Sequence, residues 1–226
     1  MSHPQLGLSA DELLSTTRAV RKRLDFDREV SVDVLKECME MAVQAPTGSN
    51  SQAWQFVFVT DPEKRAKIGE YYRQAFEVYK TMPMSIHHIN KDTGDDVMTA
   101  SQERSASSAD YLGENMDKVP AMLIPCITPR TDLPMPEGMA PTIMHAAQLG
   151  SIIPAVWSFM LAARARGIGT AWTTLHLSFE KEIGELLGIP ADYMQVALIP
   201  IAYSIGTEFK PAHRPPVETV MHINEW

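Results

Sequence analysis

One ten-residue stretch offers binding groups without bulk: Ala45-Pro46-Thr47-Gly48-Ser49-Asn50-Ser51-Gln52-Ala53-Trp54. Its small side chains leave backbone N–H groups open to a ligand. Two amides, Asn50 and Gln52, can each donate and accept. Such a set suits a neutral, planar, heteroatom-rich ligand better than a metal ion. A second group is cationic. Arg18-Ala19-Val20-Arg21-Lys22-Arg23 places four cations in six residues. Runs of this kind are usually a solvated face, but this is the densest basic patch of an acidic chain, which favours an anion site.

Familiar catalytic sets are missing. The sequence has no nucleophile elbow, no His-Glu-x-x-His and no Cys/His pair in a recognisable setting. Gly167-Ile168-Gly169 opens a turn into a strand, but the third glycine of a dinucleotide fingerprint would fall at Trp172. Asn90-x-Asp92-x-Gly94 fails the calcium-loop spacing. His87 and His88 have no partners at metal spacing and read as surface residues. Amides and cations without a catalytic set fit a protein whose reactive group is a bound cofactor.

The elements that must position these groups follow from periodicity and caps. Ser9-x-x-Glu12 is a capping box ahead of a short helix over 11–17. Ser31 caps a helix over 32–44, with Val34, Leu35, Cys38, Met41 and Ala42 on one face. The amide-rich loop then leads into a strand at Trp54–Val59. Asp61-Pro62 starts a helix that runs to about Lys80. From Thr81 to Val119 the pattern degrades into polar, Ser-rich sequence, suited to a mobile cover over a pocket. A strand over 121–127 follows, with Pro125 suggesting an edge or a bulge. A helix over 141–166 is apolar nearly all round and must be covered on every side; Gly167 caps it. Ser178 caps a helix over 179–187, and a last strand covers 195–203. The tail, Phe209 to Pro216, is rigid and basic, and the apolar end at 217–226 suits docking on a second subunit.

At 226 residues the chain can bury a large core. Its net charge of -8 argues against nucleic acid as the main partner. The uncharged segment from Gly138 to Ala163 is long enough to span a bilayer, but its prolines, His145 and Gln148 favour a buried helix, and no membrane association is expected. Cys38 and Cys126 sit in apolar contexts and read as reduced core residues. With no signal-peptide pattern at the N-terminus, the expected location is cytoplasmic.

Four pieces in sequence order resemble the nitroreductase family of FMN-dependent oxidoreductases. Thr17-Arg18-Ala19-Val20-Arg21 is similar to the family's N-terminal Arg-rich motif. The loop from Ala45 to Trp54 is close to its Ala-Pro-Ser-x-x-Asn-x-Gln-Pro-Trp signature. Gly167 to Thr174 matches the glycine turn and strand against the flavin, and Arg214-Pro215 the C-terminal phosphate-binding Arg. The resemblance implies an α+β fold with a mixed, mainly antiparallel sheet wrapped by helices. It also implies a homodimer that exchanges C-terminal arms (205–226), with FMN at its interface, in one domain with a lid at 81–119.

On that resemblance Arg18 and Arg214 hold the FMN phosphate and Arg21 approaches the flavin pyrimidine edge. Pro46, Thr47 and Asn50 come from the partner subunit, while Trp172, Thr173 and Thr174 line the other face. Ala19 stands where the family usually has Ser, which removes one hydroxyl contact. Ala53 replaces a Pro, and Ala202-Tyr203-Ser204 replaces Gly-Tyr-Pro. The implied activity is ping-pong reduction of nitroaromatics, quinones or related acceptors, with NADPH or NADH as reductant and no catalytic side chain. Met82, Met84, Tyr111 and Met116 are the lid's pocket candidates. The alternatives are a specialised relative, such as a reductive dehalogenase or flavin-fragmenting enzyme, and a flavin store or sensor without turnover.

Overall fold

The computed structural model describes residues 3–89, 94–132 and 140–226. Among the described residues six helices flank a six-stranded sheet, an α+β arrangement. The strands are β1 (Leu24–Asp25), β2 (Trp54–Val59), β3 (Ala121–Ile127), β4 (Ile168–Thr170), β5 (Met194–Gln195) and β6 (Ile199–Ser204). Every ladder is antiparallel, and one parallel bridge joins Ala19 to Thr170. β6 lies centrally, with β3 and then β1 along one side and β4 along the other.

Side chains alternate across β3, so its residues feed two cores. Ala121 and Leu123 face a cluster built from α2 (Val32–Ala42) and α5 (Pro141–Ala165). Met122, Ile124 and Cys126 face a second, built largely from α3 (Pro62–Lys80) and the end of α4 (Asp96–Asn115). All seven β3 residues are therefore buried. β3 is not an edge strand; of the two readings Pro125 suggested, edge or bulge, the bulge is the one that fits, because residues 124–125 of β3 face 196–198, one residue more, on the other side. The proline is tolerated because it falls in the gap between the stretches paired to β6 and to β5. Both cysteines are buried and free.

Three further boundaries differ from expectation. The segment after Thr81 is not irregular throughout: α4 runs for 20 residues, capped by Asp95, which accepts from Val97 N and Met98 N. The last strand is broken, because residues 196–198 leave the ladder between β5 and β6. Ser178 does not cap a helix. A 3-10 turn at Leu175–Phe179 precedes α6 (Glu180–Leu187), which ends on Gly188 at φ 70°. α1 (Ala10–Thr16) starts from the expected Ser9–Glu12 capping box. The calcium-like motif lies mostly outside the described residues, as does the start of the uncharged segment at Gly138.

α5 has a mean hydropathy of 1.5 over its most apolar window, half of which is buried. Ile152, Ala155, Val156 and Phe159 are fully buried in the first core. Its other face is bare: Ile143 is 63 % exposed, and Ile153 and Trp157 are each 40 % exposed. With Ala146, Ala147 and Gly150 these residues form an exposed stripe at helical spacing. The tail is also uncovered, with Val220, Met221, Ile223 and Trp226 all exposed.

Candidate functional site

Residues 17–20 leave α1 in extended conformation and lie along β4, where Val20 N donates to Thr170 O at 2.8 Å. Close approach is possible because residue 169 is glycine; a Cβ there would come within 2.9 Å of Val20. This pairing carries the cationic segment across the end of the sheet. Arg21 and Arg18 emerge from it toward different surroundings.

Arg21 turns into a cavity of about 170 Å³ that is also lined by Trp172, Thr173 and Thr174. Three of the residues predicted on one flavin face thus meet the predicted pyrimidine cation. Burial lowers the Arg21 pKa, and the nearby hydroxyls of Tyr72 and Tyr79 oppose that shift. Among the described residues its one side-chain hydrogen bond is a long one to Ser108 Oγ, at 3.4 Å. Among the described residues no carboxylate pairs with it. A half-buried cation without a counter-ion is costly unless an anionic or electron-rich ligand completes it.

Thr173 is fixed on two sides. Its backbone bridges Leu198, and its hydroxyl donates to Leu198 O at 2.6 Å. Tyr72 lines the same cavity as this threonine. Burial pushes the Tyr72 phenol up to about 12, although Thr173 and Arg21 pull it down. Tyr72 is therefore a permanently protonated wall of the cavity at neutral pH. Tyr79 accepts from Ile86 N at 2.7 Å, which ties the segment after α3 to the rim. Ile86, Ala109 and Leu112 close the far side.

The predicted pocket methionines and Tyr111 do not line this cavity. Met82 and Met84 point outward, Tyr111 stacks on Phe26 at 6.1 Å, and Met116 is fully buried in the second core. His87 is not a free surface residue. Its Nε2 meets Asp110 Oδ1 at 2.8 Å, joining the turn after α3 to α4. Tyr72 and Tyr79 were missed because a tyrosine seven residues from another on an apolar helix face reads as core.

Arg18 and Arg214 converge from opposite ends of the chain. Burial lowers the Arg18 pKa, and the repelling charge of Arg214 adds to it. Arg18 Nη1 reaches Lys210 O at 3.4 Å, and Arg214 Nη1 donates to His213 O at 2.8 Å. Neither has a carboxylate partner among the described residues. Two like charges near each other repel, and guanidinium forks match phosphate geometry. Ala19 is exposed beside them and offers only backbone.

Pro46, Thr47 and Asn50 do not reach this cavity in their own chain. Their loop packs on α5 instead, where Gly48 N donates to Ser151 Oγ at 2.9 Å. Thr47 Oγ1 accepts from Gln52 N, and Asn50 Oδ1 accepts from Gln52 Nε2. Ser49, Asn50 and Gln52 have φ of 54°, 52° and 48°. Left-handed residues other than glycine cost about 1–3 kcal/mol each and persist where their surroundings over-determine them. The loop is therefore strained, exposed and internally bonded, next to the bare stripe of α5. No His/Cys/Asp/Glu cluster suited to a metal occurs among the described residues.

Known proteins share both the sequence pattern and the architecture. A 4-nitrobenzoate reductase from Nocardioides sp. (strain LMS-CY) is 24% identical over 219 residues, covering 90% of this chain and 85% of the relative. A 5,6-dimethylbenzimidazole synthase from Rhodospirillum rubrum is 26% identical over 194 residues, covering 85% of this chain and 81% of its own. A nitroreductase with bound FMN from Desulfitobacterium hafniense DCB-2 superimposes with a TM-score of 0.63 at 17% identity, covering 94% of this chain and 96% of that one. Residues 14–203 match the family pattern described as "Nitroreductase family", and the chain belongs to that family.

Proposed function

We propose that this chain is an FMN-dependent NAD(P)H oxidoreductase that reduces nitroaromatics, quinones or related acceptors by a ping-pong route. The observation that carries the reading is the arrangement of unpaired arginines. Arg18 and Arg214 form a pair suited to a phosphate, and Arg21 stands apart in a cavity with Thr173 and Thr174. One phosphate and one electron-rich ring edge would satisfy all three cations. The FMN bound in the Desulfitobacterium relative has both groups.

In this reading Arg18 and Arg214 hold the phosphate, with Ala19 contributing backbone only. Arg21 faces the pyrimidine edge, where a fixed cation in a dry site stabilises negative charge. Trp172, Thr173 and Thr174 form one wall. Pro46, Thr47 and Asn50 come from a second subunit, docked through the bare stripe of α5, and the exposed tail wraps onto that subunit. FMN held by Arg18, Arg214 and Arg21 would supply two-electron redox chemistry between a nicotinamide and the acceptor. The chain's own residues bind, orient and exclude water; none is required as nucleophile. The segment 81–119 serves as lid, and the site operates in the cytoplasm.

Apart from Arg21, the described residues lining the cavity are uncharged. That favours planar, weakly polar acceptors over zwitterionic ones, and so the reductase over a specialised relative such as a reductive dehalogenase. The decisive experiment is the visible spectrum of the purified protein, followed by anaerobic NADPH. A flavin spectrum that bleaches with NADPH supports the reading. Bound flavin that neither NADPH nor NADH reduces favours a store or sensor, and a protein that takes up no FMN sinks the assignment.

A further inference from the structure

We propose that Arg23 is a positioning residue for the flavin phosphate: it grips the start of the C-terminal segment and so fixes where Arg214 stands relative to Arg18. This rests on the FMN reading above. It starts from an unusual use of an arginine. The Arg23 guanidinium meets no carboxylate among the described residues and spends its donors on three successive parts of one turn. Nε donates to Ile205 O at 2.8 Å, Nη1 to Glu208 O at 3.1 Å, and Nη2 to Gly206 O. Its own backbone carbonyl accepts from Ile205 N at 2.8 Å.

The turn is shaped around this group. Gly206 has φ +71°, and a Cβ there would fall 2.7 Å from Arg23 Nη2. Phe209, the next ring along, lies 4.1 Å from the Arg23 guanidinium carbon and 4.9 Å from that of Arg164. Arg164 is only 4 % exposed, and among the described residues its Nε and Nη1 have no hydrogen-bond partner, so the ring is its principal described contact. One residue later Lys210 O accepts from Arg18, and four residues after that comes Arg214. The segment 18–23 therefore holds the phosphate through Arg18 and, through Arg23, the root from which the second phosphate cation is delivered. A lysine could not replace Arg23, because one ammonium cannot span three carbonyls as a planar fork does.

The test compares Arg23→Gln, Arg23→Lys and Gly206→Ala, the last leaving the arginine intact. FMN dissociation constants are measured on flavin-free protein by fluorescence quenching, with amide hydrogen exchange read in parallel. Each variant should weaken FMN at least tenfold. Arg23→Gln added to Arg214→Ala should weaken it less than threefold further, because the lever then moves nothing. Equal weakening in both backgrounds, or wild-type affinity in Arg23→Gln, overturns the proposal. Exchange separates this failure from failure of the FMN reading. In flavin-free Arg23→Gln, amides 205–214 should exchange at least tenfold faster while Ala121–Ile127 keep their protection. Retained protection at 205–214, or loss of protection everywhere, overturns the grip itself whether or not wild type takes up FMN.

Discussion

Arg214 contributes little to the fold: it is exposed, and among the described residues its one side-chain hydrogen bond is to the neighbouring carbonyl. Its removal should therefore be silent in thermal unfolding of the flavin-free protein. With FMN, Arg214→Ala should weaken binding by a few kcal/mol, the size seen when one member of a close charge pair is truncated. Flavin held as tightly as in wild type would show that the phosphate lies elsewhere. His176 has the opposite character. It is fully buried, both ring nitrogens lack a partner among the described residues, and burial lowers its pKa to about 3. The unfolded chain takes up a proton below about 6.5 that the folded chain refuses. Stability therefore falls as pH drops from 6.5 toward 3. At pH 5 the penalty is about 2 kcal/mol. His176→Leu should remove it, so denaturant melts at pH 7 and pH 5 should diverge between variant and wild type. Parallel pH profiles would refute the assignment.

Among the elements, α4 shows where the sequence was hardest to read. Its only buried residues are Leu112 and Gly113, and serines fill much of the rest, so no apolar stripe announces it. The cap was the available signal: Asp95 follows Gly94 and accepts from two amides of the first turn. By contrast α2, α3, α5 and β3 were legible, because buried apolar runs and Ser31, Asp61 or proline starts leave a strong imprint. Site legibility divides the same way. The arginines and the amide loop carry their chemistry in their residue types, whereas Tyr72 acts through a contact with Thr173 that no local pattern encodes. The α3–α4 crossing is tight at Gly113, where a Cβ would fall 2.7 Å from the Phe76 ring. Phe76 also walls the cavity. Gly113→Ala should destabilise by about 1–3 kcal/mol in urea unfolding, as overpacking does. A neutral result would mean that the crossing has room for a methyl group.

For the whole molecule, the exposed apolar surface is concentrated on the bare stripe of α5 and the uncovered tail. An apolar face of this kind beside a strained loop is expected to be covered. If two chains meet on this face, as proposed above, Trp157→Glu should yield a monomer by light scattering that keeps its circular dichroism but no longer retains FMN. A variant that stays dimeric would place the interface on another surface. The loop that packs on α5 instead of its own cavity has a further consequence. On the shared-site arrangement, each flavin is bound by two chains, so cofactor and second subunit obey one mass-action law. Whatever binds the dimer and not the monomer draws association forward. Dilution alone, with no change of solvent, would then release coenzyme into solution, and added FMN would hold the subunits together. The yellow of such a protein would fade more steeply than its concentration.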